Sequence, residues 1–175
     1  MKKAIFLDRD GVINEVMSER VKFVNHKKDL YLLEGVSEAI AFLREKGYSI
    51  FVVTNQGGVG LGFMKEKDLS DIHKHMEKLL ASEHKDALID DLAVCTHKPT
   101  AGCRCRKPLP GMILTLATKH QIDLTQSYMI GDMESDVESG KAAGVKTILL
   151  SKDNKIETKA DMIFSSLKEA ASRIK

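Results

Sequence analysis

Two pairs of acidic residues stand out because each pair directly follows a short apolar run. Asp8 and Asp10 follow the first such run, and Asp132 and Asp136 follow a later one. The second pair, spaced by four, would lie on adjacent faces across the first turn of a helix. Carboxylates that converge on one sheet edge repel one another unless a cation lies between them, and hard oxygen ligands favour Mg²⁺. The pattern predicts a magnesium site, although a solvated turn would also explain the first pair taken alone.

Two further side chains are suited to holding a phosphate group. Thr54 follows the second apolar run with a hydroxyl that can donate a hydrogen bond, and Lys107 carries a point charge that matches phosphate oxygens. Thr54 could instead cap an element, and Lys107 could be one of many surface lysines. Their occurrence together with the two acidic pairs predicts a site for a phosphorylated substrate.

All three cysteines of the chain lie within eleven residues. With one histidine they form the motif C-x-H-x5-C-x-C, made by Cys95, His97, Cys103 and Cys105. Residues i and i+2 share a face of an extended chain, so each pair can present two ligands together. Three thiolates and one imidazole make the closed tetrahedral set of structural zinc, and an odd cysteine count argues against a disulfide framework. The motif predicts a zinc loop at about residues 95–105, with a redox pair at Cys103 and Cys105, or a coincidence of inert thiols, as the alternatives.

The elements that would position these residues alternate between short β-rich runs and helical patterns. Such alternation is typical of a doubly wound α/β fold with a parallel sheet. The predicted strands are 4–7, 49–53, 88–94, 128–130, 147–150 and 162–164, and the predicted helices are 36–46, 65–83, 111–121 and 134–143. Ligands of such sheets bind beyond the carboxyl ends of the strands, where the candidate residues lie. No internal repeat or linker interrupts the pattern, so we predict a single domain over residues 1–175.

Composition narrows the class of protein. The chain has 27 Lys and Arg against 25 Asp and Glu in 175 residues, and its formal net charge of +2 gives no electrostatic reason to expect nucleic-acid binding. No uncharged apolar run approaches the roughly 18 residues of a membrane span, and acidic residues follow the N-terminus too early for a secretory signal. We predict a cytoplasmic monomer whose partner is a small phosphorylated metabolite, with no nucleic-acid or membrane partner.

Four short motifs, in order, carry a resemblance to a known family. FLDRDG, VVTNQ, RKP and GDMESD resemble the four motifs of the haloacid dehalogenase (HAD) superfamily of phosphohydrolases, and the similarity extends from about residue 4 to residue 150. LDRDGVIN, CTH and CRCRKPLPG are similar to the small branch that contains the heptose bisphosphate and histidinol phosphate phosphatases. The resemblance implies a Rossmann-like phosphatase domain without a large cap.

The resemblance also implies catalytic roles. Asp8 would attack phosphorus and form an aspartyl-phosphate. Asp10 would protonate the leaving alkoxide as general acid and then activate water as general base. Thr54 and Lys107 would hold the phosphate oxygens on which charge is redistributed.

Two metal sites follow from the same resemblance. Mg²⁺ would be held by Asp8, the backbone carbonyl of Asp10 and Asp132, while Asp136 would act through water. The resemblance favours zinc over redox chemistry at the cysteine loop. Zinc would then order the segment that delivers the basic residues beyond Cys105 to the phosphate without joining the chemistry.

Substrate recognition is assigned to the residues that follow the second strand and the zinc loop. The substrate-binding candidates are Asn55, Gln56, Arg106 and Lys107, and segments 16–28 and 56–64 would complete the pocket. The motif match favours heptose bisphosphate, with histidinol phosphate or another small sugar phosphate as alternatives. Met133 departs from the basic residue that is usual at its position. A hypothesis of another class is a catalytically silent, zinc-ordered binding module.

Overall fold

Six parallel strands form the single sheet of the computed structural model, which describes residues 1–153 and 155–175. The strands are β1 (Ala4–Leu7), β2 (Ser49–Asn55), β3 (Asp91–Cys95), β4 (Tyr128–Gly131), β5 (Lys146–Leu150) and β6 (Met162–Phe164). The helices are α1 (Val36–Glu45), α2 (Glu66–Glu83), α3 (Gly111–His120), α4 (Glu134–Ala143) and α5 (Leu167–Arg173), with short 3-10 helices at Lys27–Asp29 and Leu124–Gln126. The prediction of a doubly wound α/β fold is confirmed.

The apolar runs form strands because both faces of the sheet are covered by helices. Along β1, Ile5 and Leu7 point to one hydrophobic cluster, and Ala4 and Phe6 point to the other. Helices α1, α2 and α5 contribute to the first cluster, and α3 and α4 contribute to the second. A strand that is buried on both faces has no need of alternating polar residues, which is why these strands read as continuous apolar runs.

The order of the strands decides where the candidate site lies. It is β3-β2-β1-β4-β5-β6, so β1 sits between β2 and β4 in the middle of the sheet. Strands β1, β2 and β3 follow one another toward one edge of the sheet. The chain then crosses back to form β4 on the other side of β1. The carboxyl ends of β1 and β4 therefore form the topological switch point of the sheet, where doubly wound folds bind ligands.

The largest differences from the predicted elements concern one strand and one helix, and the other bounds agree to within two residues. The strand predicted at 88–94 begins only at Asp91, because Leu88 is exposed and the Asp90 carboxylate accepts hydrogen bonds from Arg44 and from the Ile50 backbone instead. Helix α5 was not predicted. It has only seven residues, too few for a clear periodic pattern, and it is held by tertiary packing of its apolar side against α1.

The connections that follow β1 and β3 are small. Residues 8–35 form turns, isolated bridges and one short 3-10 helix, and residues 96–110 form turns and bends. Within the described residues, no second folded layer covers the carboxyl edge of the sheet, so the prediction of a fold without a large cap is confirmed. No helix in the same described ranges combines the length and the apolar character needed to span a membrane.

Candidate active site and metal centres

Three carboxylates converge at the switch point of the sheet. Asp8 follows β1, Asp132 follows β4 and Asp136 lies in the first turn of α4, and one oxygen of each lies within 4.8 Å of the others. The backbone at Gly11 adopts a left-handed conformation, with φ of 81°, and a Cβ atom there would collide with the Asp132 carboxylate. Only glycine lets the loop after β1 approach Asp132 so closely.

Lys107 lies between two of these carboxylates although it is distant from both in sequence. Its Nζ is 2.9 Å from Asp8 Oδ1 and 2.6 Å from Asp136 Oδ1, and it donates to the Val53 carbonyl at 2.9 Å. The side chain is almost fully buried. Burial lowers its pKa, but the two carboxylates outweigh that effect and raise the pKa above its ordinary value, so the ammonium stays charged.

The charges of the acidic cluster fit a divalent cation. Burial, with a further contribution from Asp136, raises the pKa of Asp8 to about 8 against the opposing effect of Lys107. Burial and the Asp136 charge likewise raise the pKa of Asp132 to about 6. Asp132 Oδ1 is buried and has no hydrogen-bond partner among the described residues. Asp8 and Asp132, whose ionisation is opposed by a neighbouring carboxylate, together with an unpartnered buried oxygen match the oxygen ligand set that Mg²⁺ prefers.

Asp10 is held in one position by a set of donors. Its Oδ1 accepts from Arg9 Nε at 3.1 Å, Arg9 Nη2 at 2.8 Å and Asn14 Nδ2 at 3.0 Å, and its Oδ2 accepts from Gln56 Nε2 at 3.1 Å. Burial raises the pKa of Asp10, but the Arg9 guanidinium and these hydrogen bonds prevail and lower it below its ordinary value. The arrangement stabilises the carboxylate, the form that acts as a base.

The side-chain amides of Asn55 and Gln56 form hydrogen bonds with neighbouring groups of the site. Asn55 Oδ1 accepts from the Lys107 backbone N–H at 3.0 Å, and Asn55 Nδ2 donates to the Lys107 carbonyl at 3.2 Å. Gln56 Nε2 donates to Thr54 Oγ1 at 2.8 Å as well as to Asp10. Both residues are predicted to bind substrate. In the structure Asn55 also positions Lys107, and Gln56 also positions Asp10.

The cysteine loop brings all four predicted zinc ligands together. Cys95 Sγ lies 3.6 Å from Cys103 Sγ and 2.9 Å from Cys105 Sγ, and His97 Nδ1 lies 3.2 Å from Cys105 Sγ. None of the cysteines forms a disulfide. Burial and the two neighbouring thiols raise the pKa of Cys105 to about 12. Close packing of unpaired thiols around one imidazole fits a zinc ion, whose charge would favour the thiolate forms.

A cavity of about 510 Å³ opens beside Asp10. Its other lining residues come from segment 16–25 after β1, from segment 55–64, which begins at the last residue of β2, and from Pro99 in the zinc loop and Arg106 directly after it. The glycine-rich part of the second segment packs against the zinc loop, because Gly60 N–H donates to the Thr96 carbonyl at 2.9 Å and a Cβ on Gly60 would lie 2.7 Å from that oxygen. Three short loops thus border the space that a cap would otherwise cover.

Comparison with known proteins places the chain in a family. A family model described as HAD-hydrolase-like matches residues 104–170. The D-glycero-beta-D-manno-heptose-1,7-bisphosphate 7-phosphatase of Helicobacter pylori is 39% identical over 156 residues, which is 89% of this chain and 87% of the relative. The chain belongs to the heptose bisphosphate phosphatase family. A second member, the D-glycero-alpha-D-manno-heptose-1,7-bisphosphate 7-phosphatase of Campylobacter jejuni, is 36% identical over 95% of this chain and 92% of its own.

A solved structure of the heptose bisphosphate phosphatase family shares the fold. The D,D-heptose 1.7-bisphosphate phosphatase of B. bronchiseptica, complexed with magnesium and phosphate, superposes with a TM-score of 0.87 at 31% identity. The match covers 97% of this chain and 96% of that one. This chain is therefore a HAD-like phosphatase over nearly its whole length, and the resemblance drawn from its motifs is confirmed.

The Arg9 side chain is a site component that the sequence motifs did not reveal. It is fully buried, and besides its two bonds to Asp10 its Nη1 lies 3.2 Å from His73 Nε2 on α2. The charged pattern of α2 predicts solvated or structural histidines, and His73, which is 8% exposed, is of the structural kind. Burial, together with the adjacent Arg9 charge, lowers the pKa of His73 to about 4. His73 is thus neutral and accepts the hydrogen bond that fixes Arg9 behind Asp10.

We expect this contact to make the phosphatase sensitive to mild acid. The unfolded chain binds a proton at His73 near pH 6.5 and the folded chain only near pH 4, so the stabilisation is complete above pH 6.5 and is lost as the pH falls toward 4. Between pH 7 and pH 5 the wild type should lose on the order of 2 kcal/mol more unfolding free energy than His73→Gln. Urea unfolding at the two pH values measures the difference. His75→Gln on the same helix should behave as wild type, and equal losses in wild type and His73→Gln would contradict the assignment.

Proposed function

We propose that the protein hydrolyses the 7-phosphate of D-glycero-D-manno-heptose 1,7-bisphosphate, with Mg²⁺ at the acidic cluster and zinc in the cysteine loop. The observation that carries the proposal is the meeting of Asp8, Lys107 and Asp132 at the switch point, directly beside Asp10 and its cavity. Membership of the heptose bisphosphate phosphatase family supports the choice of substrate. Because one chain supplies every group, we treat residues 1–175 as one catalytic domain, and as a separate part of the proposal this domain acts as a monomer.

The reaction begins with in-line attack of Asp8 on phosphorus. The Arg9 backbone N–H and Lys107 Nζ both donate to Asp8 Oδ1, at 2.8 and 2.9 Å, so Oδ2 is the oxygen that we expect to attack. A bond forms between this oxygen and phosphorus while the bond from phosphorus to the sugar oxygen breaks, which gives an aspartyl-phosphate and an alkoxide. Fixing one carboxylate oxygen aims the other, and this preorganisation lowers the entropic part of the barrier.

Asp10 moves the proton in both halves of the reaction. A phosphate dianion that enters the cavity raises the pKa of the adjacent carboxyl by like-charge repulsion, which favours the protonated form needed to give a proton to the leaving alkoxide. Once the alcohol has left, the donors from Arg9, Asn14 and Gln56 favour the carboxylate. That carboxylate then takes a proton from the water that hydrolyses the aspartyl-phosphate.

The remaining groups of the site stabilise charge on the phosphate. Thr54 Oγ1 accepts from Gln56, so its own hydroxyl proton can be donated to a phosphate oxygen, and Lys107 supplies a fixed positive charge. Asp8, the Asp10 carbonyl and Asp132 would hold Mg²⁺, which when bound supplies electrostatic screening between the nucleophile and the phosphate. Asp136 neutralises Lys107 and orders the start of α4, since its Oδ2 accepts from the Met133 N–H at 3.0 Å.

Zinc in the cysteine loop is a separate part of the proposal with its own prediction. Protein purified without chelators should contain about one zinc per chain by elemental analysis, and Cys103→Ser should lower this content severalfold. Turnover should fall in parallel, because the loop leads directly into Arg106 and Lys107. Thr100→Ala, in the exposed turn of the same loop, is the matched control and should keep both zinc and turnover. Metal-free wild-type protein would contradict the proposal.

The substrate assignment is tested with a panel of phosphate esters, with and without Mg²⁺. The panel holds both anomers of the heptose bisphosphate, since family members are named for each, together with histidinol phosphate, other sugar phosphates and para-nitrophenyl phosphate. We expect the highest kcat/KM for one heptose anomer and no turnover without a divalent cation. A preference for histidinol phosphate would assign that ester as the substrate in place of the heptose bisphosphate. The absence of Mg²⁺-dependent turnover on every ester would favour a catalytically silent binding module.

A further inference from the structure

His73 is a buried side chain that does not reach the substrate cavity. It lies on α2 and lines a separate groove of about 380 Å³ between α2 and the strand β3, whose rim includes Leu92 and Thr96. This groove and the cavity beside Asp10 share no lining residue. An influence of His73 on catalysis must therefore pass through another residue.

The contact between His73 and Arg9 has only one possible direction. A guanidinium is always protonated and can only donate, so His73 Nε2, at 3.2 Å from Arg9 Nη1, is the acceptor. In the neutral ring the proton is then on Nδ1. Because Arg9 is fully buried, water cannot take the place of the imidazole. A buried charged donor that loses its acceptor is costly, and the guanidinium would move to find another.

The other edge of the Arg9 guanidinium binds one oxygen of Asp10. Nε and Nη2 both donate to Asp10 Oδ1, which also accepts from Asn14, whereas within the described residues Oδ2 accepts only from Gln56. An oxygen that accepts three N–H bonds is a poor place for a proton, so a protonated Asp10 carries its proton on Oδ2. The Asp10 side chain is partly exposed and lines the cavity. The Arg9 contact thus sets the direction in which Oδ2 presents the proton.

A rigid plane connects the two contacts of Arg9. The guanidinium is planar, so a fixed Nη1 also fixes the Nε and Nη2 edge that binds Asp10. Without an acceptor at His73, the plane can rotate and carry the Asp10 carboxyl away from its place in the cavity. The groove on one side of α2 is linked in this way to the acid on the other.

We propose that His73 is a positioning residue for the general acid, acting through Arg9 on Asp10. The inference rests on the proposed function and adds to it a residue outside the four sequence motifs. When the bond from phosphorus to the sugar oxygen breaks, the proton on Asp10 Oδ2 passes to that oxygen, and His73 keeps Oδ2 aimed at it. The contribution of His73 is therefore largest for substrates whose leaving group needs a proton.

The test compares His73→Leu with wild type on two esters that differ in the leaving group. Heptose 1,7-bisphosphate releases a sugar alkoxide that must be protonated, whereas para-nitrophenyl phosphate releases a phenolate that is stable without a proton. We expect kcat/KM for the heptose bisphosphate to fall about 10- to 100-fold, because a small misplacement loses part of general-acid catalysis. The same constant for para-nitrophenyl phosphate reports only the steps up to leaving-group departure and should stay near the wild-type value. A merely structural role would lower both alike.

Three further variants check the route of the effect. His73→Gln supplies an acceptor from its amide and should restore most of the activity on the heptose bisphosphate. His75→Leu changes a histidine of the same helix that has no hydrogen bond to Arg9 within the described chain, and it should match wild type on both esters. Arg9→Met should itself show the selective loss, and adding His73→Leu to it should cause no further loss, since the unpaired donor is then absent.

The outcomes separate this inference from the proposed function. If wild type hydrolyses the heptose bisphosphate and His73→Leu lowers activity on both esters equally, or on neither, the role of His73 is overturned while the proposed function stands. A further loss when His73→Leu is added to Arg9→Met also overturns it, and this comparison holds even where the single His73→Leu protein fails to fold. Wild-type protein without turnover of any sugar phosphate overturns both. A selective loss that glutamine rescues supports both.

Discussion

Replacing Asp8 by asparagine is expected to reduce phosphate release by at least about 10⁴-fold, because it removes the nucleophile and with it the covalent route. The amide is isosteric and can still accept from Lys107 and from the Arg9 backbone, as the carboxylate does in the structure. The loss should appear in kcat, measured as inorganic phosphate released under saturating substrate and Mg²⁺.

The fold of Asp8→Asn should survive the substitution. Burial and the neighbouring carboxylates already raise the pKa of Asp8 to about 8, so a neutral side chain relieves repulsion rather than creating it. Lys107 keeps its ion pair with Asp136, and the free energy of unfolding of metal-free protein at pH 7 should therefore not fall. Asp86→Asn, at an exposed position, is the matched control with full turnover. A folded Asp8→Asn protein that keeps more than about 1% of wild-type kcat would exclude Asp8 as nucleophile.

Replacing Lys107 by methionine should damage both catalysis and stability. The ammonium is the fixed positive charge beside Asp8, and removal of one such group costs about 10²- to 10³-fold in kcat. It is also the buried partner of Asp8 and Asp136, and breaking a buried ion pair on one side costs about 3–5 kcal/mol of unfolding free energy. Methionine keeps the unbranched shape, so the effect reports the charge. Turnover and urea unfolding, both with Mg²⁺ present, measure the two losses.

The control for Lys107 comes from the same loop. Lys98→Met removes an exposed lysine of the segment between β3 and α3 and should change neither kcat nor unfolding. The kcat and the free energy of unfolding can change independently, so each tests a different role of Lys107. A Lys107→Met protein as stable as wild type would show that the ion pairs contribute no net stability, and one with wild-type kcat would remove Lys107 from the charge-stabilising groups.

The sheet and the groups at its carboxyl edge could be predicted because their signals are local. Each buried strand is a continuous apolar run with a polar residue at its end, and parallel topology brings those ends to one edge whatever lies between them in the chain. That is why Asp8 and Asp132, more than a hundred residues apart, were expected together. The cysteine motif is local in the same sense, since four ligands within eleven residues need only one chain reversal.

The parts that could not be predicted depend on tertiary contacts. Arg9 stands in the sequence as a charged residue between two aspartates, and only the packing of α2 against the loop after β1 reveals that it is buried and bonded to His73. The positioning roles of Asn55 and Gln56 depend on Lys107 and Asp10, which only the tertiary structure brings next to them. Helix α5 was missed because a seven-residue element owes its stability to the surface it covers more than to its own periodicity.

The open carboxyl edge of the sheet has a consequence for the substrate. The rim of the cavity includes Phe23, Leu61 and Phe63, which are all more than half exposed, and no folded layer of the described chain closes over them. A sugar that seats its phosphate at Asp8 would cover these side chains with its own carbon skeleton, and so would itself shut bulk solvent out of the reaction. The size of the leaving group thus becomes a determinant of rate, with compact esters reacting in a wetter and less favourable environment than those that fill the opening.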